Sequence, residues 1–77
     1  MKHTVIGIEL KNRQNEAAVL QDILTRYGCS IKTRIGLHDV AENQCAAGGI
    51  ILLDVISREE ELLKELSGKF NVQTMHF

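Results

Sequence analysis

Apolar and polar positions divide the segment Thr33–Val55 into two strand-like runs around a polar stretch. The runs are rich in branched side chains, and the stretch between them, Asp39–Gln44, carries carboxylates and amides. This pattern predicts a β-hairpin, with His38 closing its first strand and Cys45 opening its second. With the loop at Asp39–Gln44, we expect the side chains of His38 and Cys45 to face each other across the mouth of the hairpin.

A strand and a helix precede this hairpin. The alternation at His3–Leu10 predicts a strand with both faces partly apolar, which is typical of a central position in a sheet. Apolar residues that recur at the spacing of one helical face predict a helix at Glu16–Tyr27. Asn15 is its predicted N-cap, and Gly28 follows its last apolar position as a terminating residue.

The two strands of the hairpin differ in polarity. Strand two is predicted at Cys29–Leu37, with an outward face that includes Lys32 and Arg34. Its predicted buried face consists of Ile31, Thr33, Ile35 and Leu37. Strand three, at Gly48–Ile56, is apolar at nearly every position, which predicts a central strand. Its first two residues are glycines that could hold a bulge, so its inward face is left open at this point.

A second helix and a last strand complete the chain. Ser57 and Glu60 have the spacing of a capping box, which predicts a helix that begins after Ser57 and ends at Gly68. Its predicted buried stripe consists of Leu62, Leu63 and Leu66. The last strand is predicted at Lys69–Phe77.

The resulting order of elements is β-α-β-β-α-β. Two split β-α-β units of this kind interleave into one antiparallel sheet. We therefore predict an α+β fold, a ferredoxin-like sandwich with sheet order 4-1-3-2 and both helices on one face. Residues 1–77 are predicted to form a single domain. The first and last strands are then neighbours, which places His3 near His76 as a metal-binding, pH-sensing or simply solvated pair.

Composition favours a small domain that shares apolar surface with another subunit. The 77 residues are 44% hydrophobic, which is enough for a core and generous for so short a chain. The predicted sheet also leaves Val5 and Gly7 on the face that the helices do not cover. We therefore predict a homo-oligomer, either a dimer or a tetramer.

Charge and hydropathy argue against several classes of partner. A net charge of −1 supplies no basic surface, so direct nucleic-acid binding is not expected. We find no signal peptide and no apolar run near the ~20 residues that span a membrane, and we expect a soluble, cytoplasmic protein.

Cys29 and Cys45 lie too far apart on the predicted strand for a disulfide, and Cys29 is expected to be a small buried side chain.

Four segments of the chain carry a resemblance to a known family: IGIELKNR, ILTRYG, IKTRIGL and LLDV. On these segments, the chain resembles, over essentially its whole length, the proposed regulators of iron-only hydrogenase systems. That family is similar to the ACT domains and to the C-terminal domain of the nickel-responsive repressor. The resemblance implies an ACT-like, ferredoxin-like fold, oligomerisation, and a regulatory role without catalysis.

The resemblance also implies a metal position on the hairpin. The nickel-responsive repressor carries its metal on the corresponding strand, with His-x-His before the loop and Cys after it. His38 and Cys45 stand in roughly those places, but Gly36 replaces the other strand histidine, and Thr25 stands near the expected helix position. A transition metal such as Zn, Ni or Cu would need further donors from Asp39 or a second subunit. The alternative is a solvated histidine beside a small packed cysteine.

A second candidate site is the polar connection before the first helix. ACT domains bind small molecules at this loop, usually beside a glycine, which this chain lacks there. Free N–H groups and the helix dipole could bind a carboxylate or a phosphate. The candidate ligand-binding residues are Lys11, Asn12, Arg13 and Asn15, extended by Lys32 and Arg34. The alternatives are a solvated connection and edge-strand charges that oppose aggregation.

Two functions are left open by the sequence. It shows no Ser-His-Asp order, glycine-rich phosphate loop, CxxC motif or catalytic carboxylate pair, so no enzyme is predicted. The favoured hypothesis is a regulatory module that senses a small effector and acts through that effector or a partner protein. The alternative is a structural accessory protein that mediates assembly and binds no ligand.

Overall fold

The computed structural model describes residues 3–41 and 44–77, and it describes their side chains except at residues 13, 14, 38–41 and 44–47. The described chain forms four strands and two helices. The strands are β1 (Thr4–Leu10), β2 (Ile31–Ala41), β3 (Gln44–Val55) and β4 (Asn71–His76). The helices are α1 (Arg13–Arg26) and α2 (Glu59–Ser67), and a short 3-10 turn at Gly28–Ser30 follows α1.

The four strands form one antiparallel sheet in the order β2-β3-β1-β4. This is the predicted order 4-1-3-2 seen from the other edge, so the predicted strand order is confirmed. The architecture is α+β and is compatible with a ferredoxin-like fold. Within the described ranges, neither helix has the length and apolarity needed to cross a membrane.

Both helices pack on one side of the sheet, and the core lies between the helices and the sheet. The side chains with at most 1% exposure are Ile6, Ile8, Leu53 and Val55 from the sheet and Leu20, Ile23, Leu62 and Leu66 from the helices. Each of these side chains stabilises the fold by roughly 1.5–3 kcal/mol when it leaves water. Leu63, the remaining member of the predicted α2 stripe, is partly buried and packs against this cluster.

The opposite side of the sheet is not covered by either described helix, and we call it the open face. Apolar side chains are aligned across it, because Leu52 pairs with Gly7 and Ile35, and Ile50 pairs with Leu37. Ile35, Leu37 and Ile50 are between 42% and 50% exposed. Gly7 therefore lies on the uncovered side, as predicted.

A register shift around Lys32 reverses the predicted faces of β2. Ile31 packs against the core, but the shift between Ile31 and Thr33 places the next alternate positions on the open face. The prediction of a continuous buried face is therefore wrong beyond Ile31. The residues that are exposed instead are Thr33, Ile35 and Leu37.

The same shift moves Arg34 to the side of the helices. Arg34 pairs with Leu53 of the core face, and its Nη1 donates a hydrogen bond to Oε1 of Gln21 on α1 at 2.7 Å. The predicted outward position of Arg34 is therefore wrong. This side chain ties the edge strand to the middle of α1.

The structure assigns the inward face of β3, which the sequence pattern leaves open. This face consists of Ile51, Leu53 and Val55. A second register irregularity lies between His38 and Val40 of β2, opposite the segment between Cys45 and Gly49 of β3. That segment contains Gly48 and ends at Gly49. The irregularity therefore lies next to the glycine pair at which the sequence allows a bulge.

The hairpin is longer than predicted. β2 continues to Ala41, β3 begins at Gln44, and these two residues are register partners. The predicted loop at Asp39–Gln44 is therefore wrong at both ends, because most of its positions belong to the strands. Glu42 and Asn43 lie outside the described residues.

The first helix begins earlier than predicted because Asn12, rather than Asn15, occupies the N-cap position. The backbone N–H of Asn15 donates to Oδ1 of Asn12 at 3.4 Å. The Oε1 atom of Glu16 accepts hydrogen bonds from the backbone N–H groups of Lys11 and Asn12, both at 2.8 Å. This reciprocal arrangement satisfies donors at the helix start in the manner of a capping box.

The second helix begins without the predicted capping box. Its N-cap position is Arg58, at φ 54 and ψ 32, with no side-chain capping hydrogen bond. The hydroxyl of Ser57 instead donates to the hydroxyl oxygen of Ser30 at 2.9 Å, which ties this connection to the end of the first helical segment. Gly68 is the C-cap residue, as predicted.

Candidate functional site

The open face carries a groove with the dimensions of a small binding site. It has a volume of about 260 Å³ and lies across β1, β3 and β4. Its apolar lining consists of Val5, Gly7, Ile50, Leu52 and Met75. Its polar lining consists of Glu9, Asn71 and Gln73.

Gly7 keeps the centre of this groove open. Leu52 and Gln73 are its register partners on the two neighbouring strands. A Cβ atom at position 7 would lie 3.5 Å from Cδ2 of Leu52 and 3.9 Å from the carbonyl oxygen of Gln73, which is ordinary contact distance. A larger side chain would therefore fit on the backbone and would occupy the space that glycine leaves free.

The groove combines apolar surface with one carboxylate. Oε1 of Glu9 accepts a hydrogen bond from Nδ2 of Asn71 at 3.1 Å, so a neighbouring strand holds this carboxylate in place. Pockets with apolar walls and a few fixed polar groups are typical of small-molecule sites. This arrangement suits a molecule with an apolar body and an ammonium or hydroxyl group that can donate to Glu9.

The opposite end of the open face carries a second polar pair. Nδ1 of His3 lies 3.3 Å from both carboxylate oxygens of Asp54. His76 lies on the other side of the sheet, where its Nδ1 is 3.4 Å from the hydroxyl of Thr4. The expected pairing of His3 with His76 is therefore wrong, because each histidine contacts a different partner on a different face.

The predicted anion site before α1 already contains a carboxylate of the chain itself. Glu16 accepts from the backbone N–H groups of Lys11 and Asn12, and Asn12 accepts from that of Asn15. An external anion would have to compete with these intramolecular hydrogen bonds. The side chain of Arg13 lies outside the described side chains.

The two basic residues expected to extend this anion site lie on β2. Arg34 contacts Gln21 in the middle of α1 rather than the residues at its N-terminus. Lys32 is exposed at the register shift of this edge strand. The structure therefore places Arg34 away from the connection that it was expected to extend.

The backbone register separates the two predicted metal ligands. Cys45 pairs with Val40, whereas His38 pairs with Gly49, so the expectation that His38 and Cys45 face each other is wrong. Their side chains lie outside those that are described. Among the described residues, no group of three or more His, Cys, Asp or Glu side chains could hold a metal ion. His38 and Cys45 would supply two of the four donors of a square-planar site, and the metal site stays a prediction.

A cluster that the sequence pattern does not reveal joins the ends of the two helices. The guanidinium of Arg58 lies 4.5 Å from the ring centroid of Tyr27 and donates to Oε2 of Glu61 at 2.8 Å. Arg26 pairs with Glu65 at 2.8 Å, and the Tyr27 hydroxyl also hydrogen-bonds to Glu65. We call these five residues the helix-end cluster. Its members come from two segments that are far apart in sequence, so no local spacing could have predicted that they meet.

Hydrogen bonding within this cluster shifts two pKa values in opposite directions. The hydrogen bonds from Tyr27 and then Arg26 lower the pKa of the Glu65 carboxyl. The hydrogen bond to Glu65 raises the pKa of the Tyr27 hydroxyl. The cluster therefore contains an ionised carboxylate and a protonated phenol at neutral pH.

The cysteine next to this cluster is exposed. Cys29 lies in the 3-10 turn after α1 and is a free thiol. The expectation of a small buried side chain is therefore wrong. Ser30, the next residue, is the one that is buried, at 3% exposure.

Comparison with known proteins supports the fold and leaves the function open. No family model matches the chain, and no curated protein matches it. Among solved structures, the chain is similar to the de novo designed protein Foldit4, with a TM-score of 0.54 and 14% sequence identity. The match covers 100% of this chain and 97% of that chain. At this identity the similarity shows the fold alone.

Proposed function

We propose that this chain is a small ACT-like regulatory module of an iron-only hydrogenase system, which senses a small effector and acts as an oligomer. The proposed role is regulatory and not catalytic, and the proposed location is the cytoplasm. The observation that carries the proposal is the groove on the open face, whose lining combines apolar side chains with the Glu9 carboxylate, to which Asn71 donates a hydrogen bond.

The chemistry of the groove suggests the class of effector. Glu9 offers an acceptor to an ammonium or hydroxyl group, and Val5, Leu52 and Met75 offer apolar contact to an aliphatic body. An α-amino acid with an aliphatic side chain combines both features, as does a simple aliphatic amine. The α+β fold with this strand order is what an ACT-like module requires, and it supports the proposal at the level of fold.

A second candidate function is a structural accessory protein that mediates assembly and binds no ligand. One observation favours it: the open face is more extensive than the groove. Ile35 and Leu37 are about half exposed on the same face, yet they do not line the groove. A small effector would leave this apolar surface uncovered, whereas a partner protein would bury it.

A thermal-shift screen separates the two functions. We would test leucine, n-butylamine, inorganic phosphate, AMP, Ni²⁺ and Zn²⁺ against the intact chain. A compound at a hundredfold excess over its dissociation constant stabilises the folded state by roughly 2.7 kcal/mol, which such a screen detects readily. We expect leucine or n-butylamine to raise the melting temperature. No shift with any compound would favour the structural accessory function.

Matched variants locate the site of any response. Gly7→Val should abolish a response at the groove, and Gly36→Val, on the helix side of the sheet, should retain it. A Ni²⁺ or Zn²⁺ response that weakens at low pH and disappears in His38→Ala and Cys45→Ser would instead place the site on the hairpin. A phosphate response lost in Lys11→Ala would place it at the start of α1.

A further inference from the structure

Apolar side chains of β2 and β3 form a continuous patch on the open face, because Ile35 pairs with Leu52 and Leu37 pairs with Ile50. Met75 on β4 is 53% exposed and adds apolar surface at the second edge. Glu9 lies in the row of Ile50, and the His3–Asp54 pair lies at the opposite end of the face. Protein–protein interfaces combine apolar side chains with polar groups in this way.

The chain exposes more surface than a compact monomer of its mass. The chain exposes 5347 Å², whereas a compact monomer of 8.6 kDa exposes about 4,700 Å². This excess of roughly 650 Å² is surface that association could bury, and an interface of standard size buries ~800 Å² on each partner. The radius of gyration is 12.6 Å, also above the value of about 11.5 Å for a compact chain of this length.

We propose that a second copy of this chain docks on the open face, sheet against sheet, to form a two-fold dimer. This inference rests on the oligomeric part of the proposed function and specifies its interface. A two-fold axis matches the apolar patch with itself, so this interface closes on itself in a dimer. Two sheets packed in this way lie about 10 Å apart, which would enclose the groove between the subunits.

The β2 edge of the sheet is poorly suited to joining two copies. This edge carries the register shift at Lys32, and a bulge and a lysine are both features that oppose edge-to-edge pairing. Arg34 of the same strand is engaged with Gln21 on α1. The open face, rather than the β2 edge, is therefore the surface that the second copy covers.

Sedimentation equilibrium over a range of micromolar concentrations tests this interface. We expect the wild-type chain to reach twice its mass of 8.6 kDa. The double variant Ile35→Lys with Met75→Lys should raise the dimer dissociation constant by at least about a hundredfold, because two unpaired charges per subunit would be buried. Both positions are half exposed, so the fold should be retained, which circular dichroism would verify.

Val19→Lys is the matched control. Val19 is 43% exposed on α1, away from the open face, and this variant should dimerise like the wild type. A second measurement does not depend on any variant: a soluble paramagnetic probe should broaden the methyl signals of Val19 and spare those of Ile35 in the concentrated wild-type chain.

Loss of the dimer in the double variant and its retention in the control would support the proposed interface. A wild-type chain that stays monomeric, or a dimer that the double variant retains, would overturn it. The leucine and n-butylamine screen is read separately. A dimer without a ligand response would contradict effector sensing and leave the interface supported. A ligand response in a monomeric wild-type chain would support effector sensing and contradict the interface.

Discussion

The two sides of this sheet are built from the same strands, yet only one of them is a core. Leu52 and Leu53 are neighbours on β3, and Leu53 is completely buried beneath the helices while Leu52 lines the groove on the open face. Their side chains differ only in what covers them. The comparison shows that a strand with apolar residues on both faces specifies two surfaces to be buried, and that two helices can cover only one of them.

The sharpest test of this difference is to shorten each of the two leucines. Leu53→Ala should lower the free energy of unfolding by about 2–5 kcal/mol, because it leaves a cavity in a closed core. Leu52→Ala should cost less than about 1.5 kcal/mol in the dilute chain, because solvent fills the space on the open face. Urea denaturation at low protein concentration measures both values. Equal losses would contradict the distinction between the two sides.

Two glycines allow the opposite change, in which a methyl group is added to each side. Gly7→Ala faces the groove, and Gly36→Ala faces the helix side, where the new Cβ would lie 3.6 Å from Cδ1 of Ile51. Neither contact is a clash, so each variant should gain about 0.5–1 kcal/mol from the reduced entropy of its unfolded chain. Differential scanning calorimetry would detect the gains, and a loss at either position would show that the added methyl group crowds its neighbours.

The smallest expected effect is the pH dependence of stability, which arises from the helix-end cluster on the helix side of the sheet. Hydrogen bonds from Tyr27 and Arg26 hold the pKa of Glu65 below its ordinary value of 4.5. The folded state therefore gains stability from this carboxylate above pH 4.5, and the gain is lost as pH falls through the lower pKa of the folded state. Stability curves for Glu65→Gln should fall less steeply on acidification than those of the wild type.

The effect should be small, because these charges are solvent-exposed and screened. Glu60→Gln, which changes an exposed carboxylate of the same helix outside the helix-end cluster, serves as the control. An acid-induced loss of the same size in the wild type and in Glu65→Gln would remove the role assigned to Glu65.

The order of elements and the sheet topology could be predicted because each depends on local pattern and on chain connectivity. The faces of β2 could not be predicted, because the alternation of apolar and polar residues gives no sign of the register shift between Ile31 and Thr33. The start of α2 differs from its prediction for a similar reason. Ser57 has the spacing of a capping residue, but its hydroxyl donates a hydrogen bond to Ser30, which is distant in sequence.

The candidate site could be predicted only in part. The uncovered side of the first strand was expected, but the groove depends on Gly7 lying between Leu52 and Gln73, and that alignment joins three strands. The start of α1 was expected to bind an external anion because its N–H groups attract negative charge. The carboxylate of Glu16 accepts hydrogen bonds from these N–H groups instead. The sequence permits this intramolecular contact but does not by itself predict it.

The unusual backbone of Arg58 has a consequence for how this chain folds. Among the described residues other than glycine, it is the one with a positive φ, a conformation that costs an L-residue about 1–2 kcal/mol. Its guanidinium is supported by the ring of Tyr27, at the end of the other helix. This part of the support for the turn into α2 is present only after α1 has docked. We expect the two halves of the chain to fold as one cooperative unit, and neither half to be an autonomous folding unit.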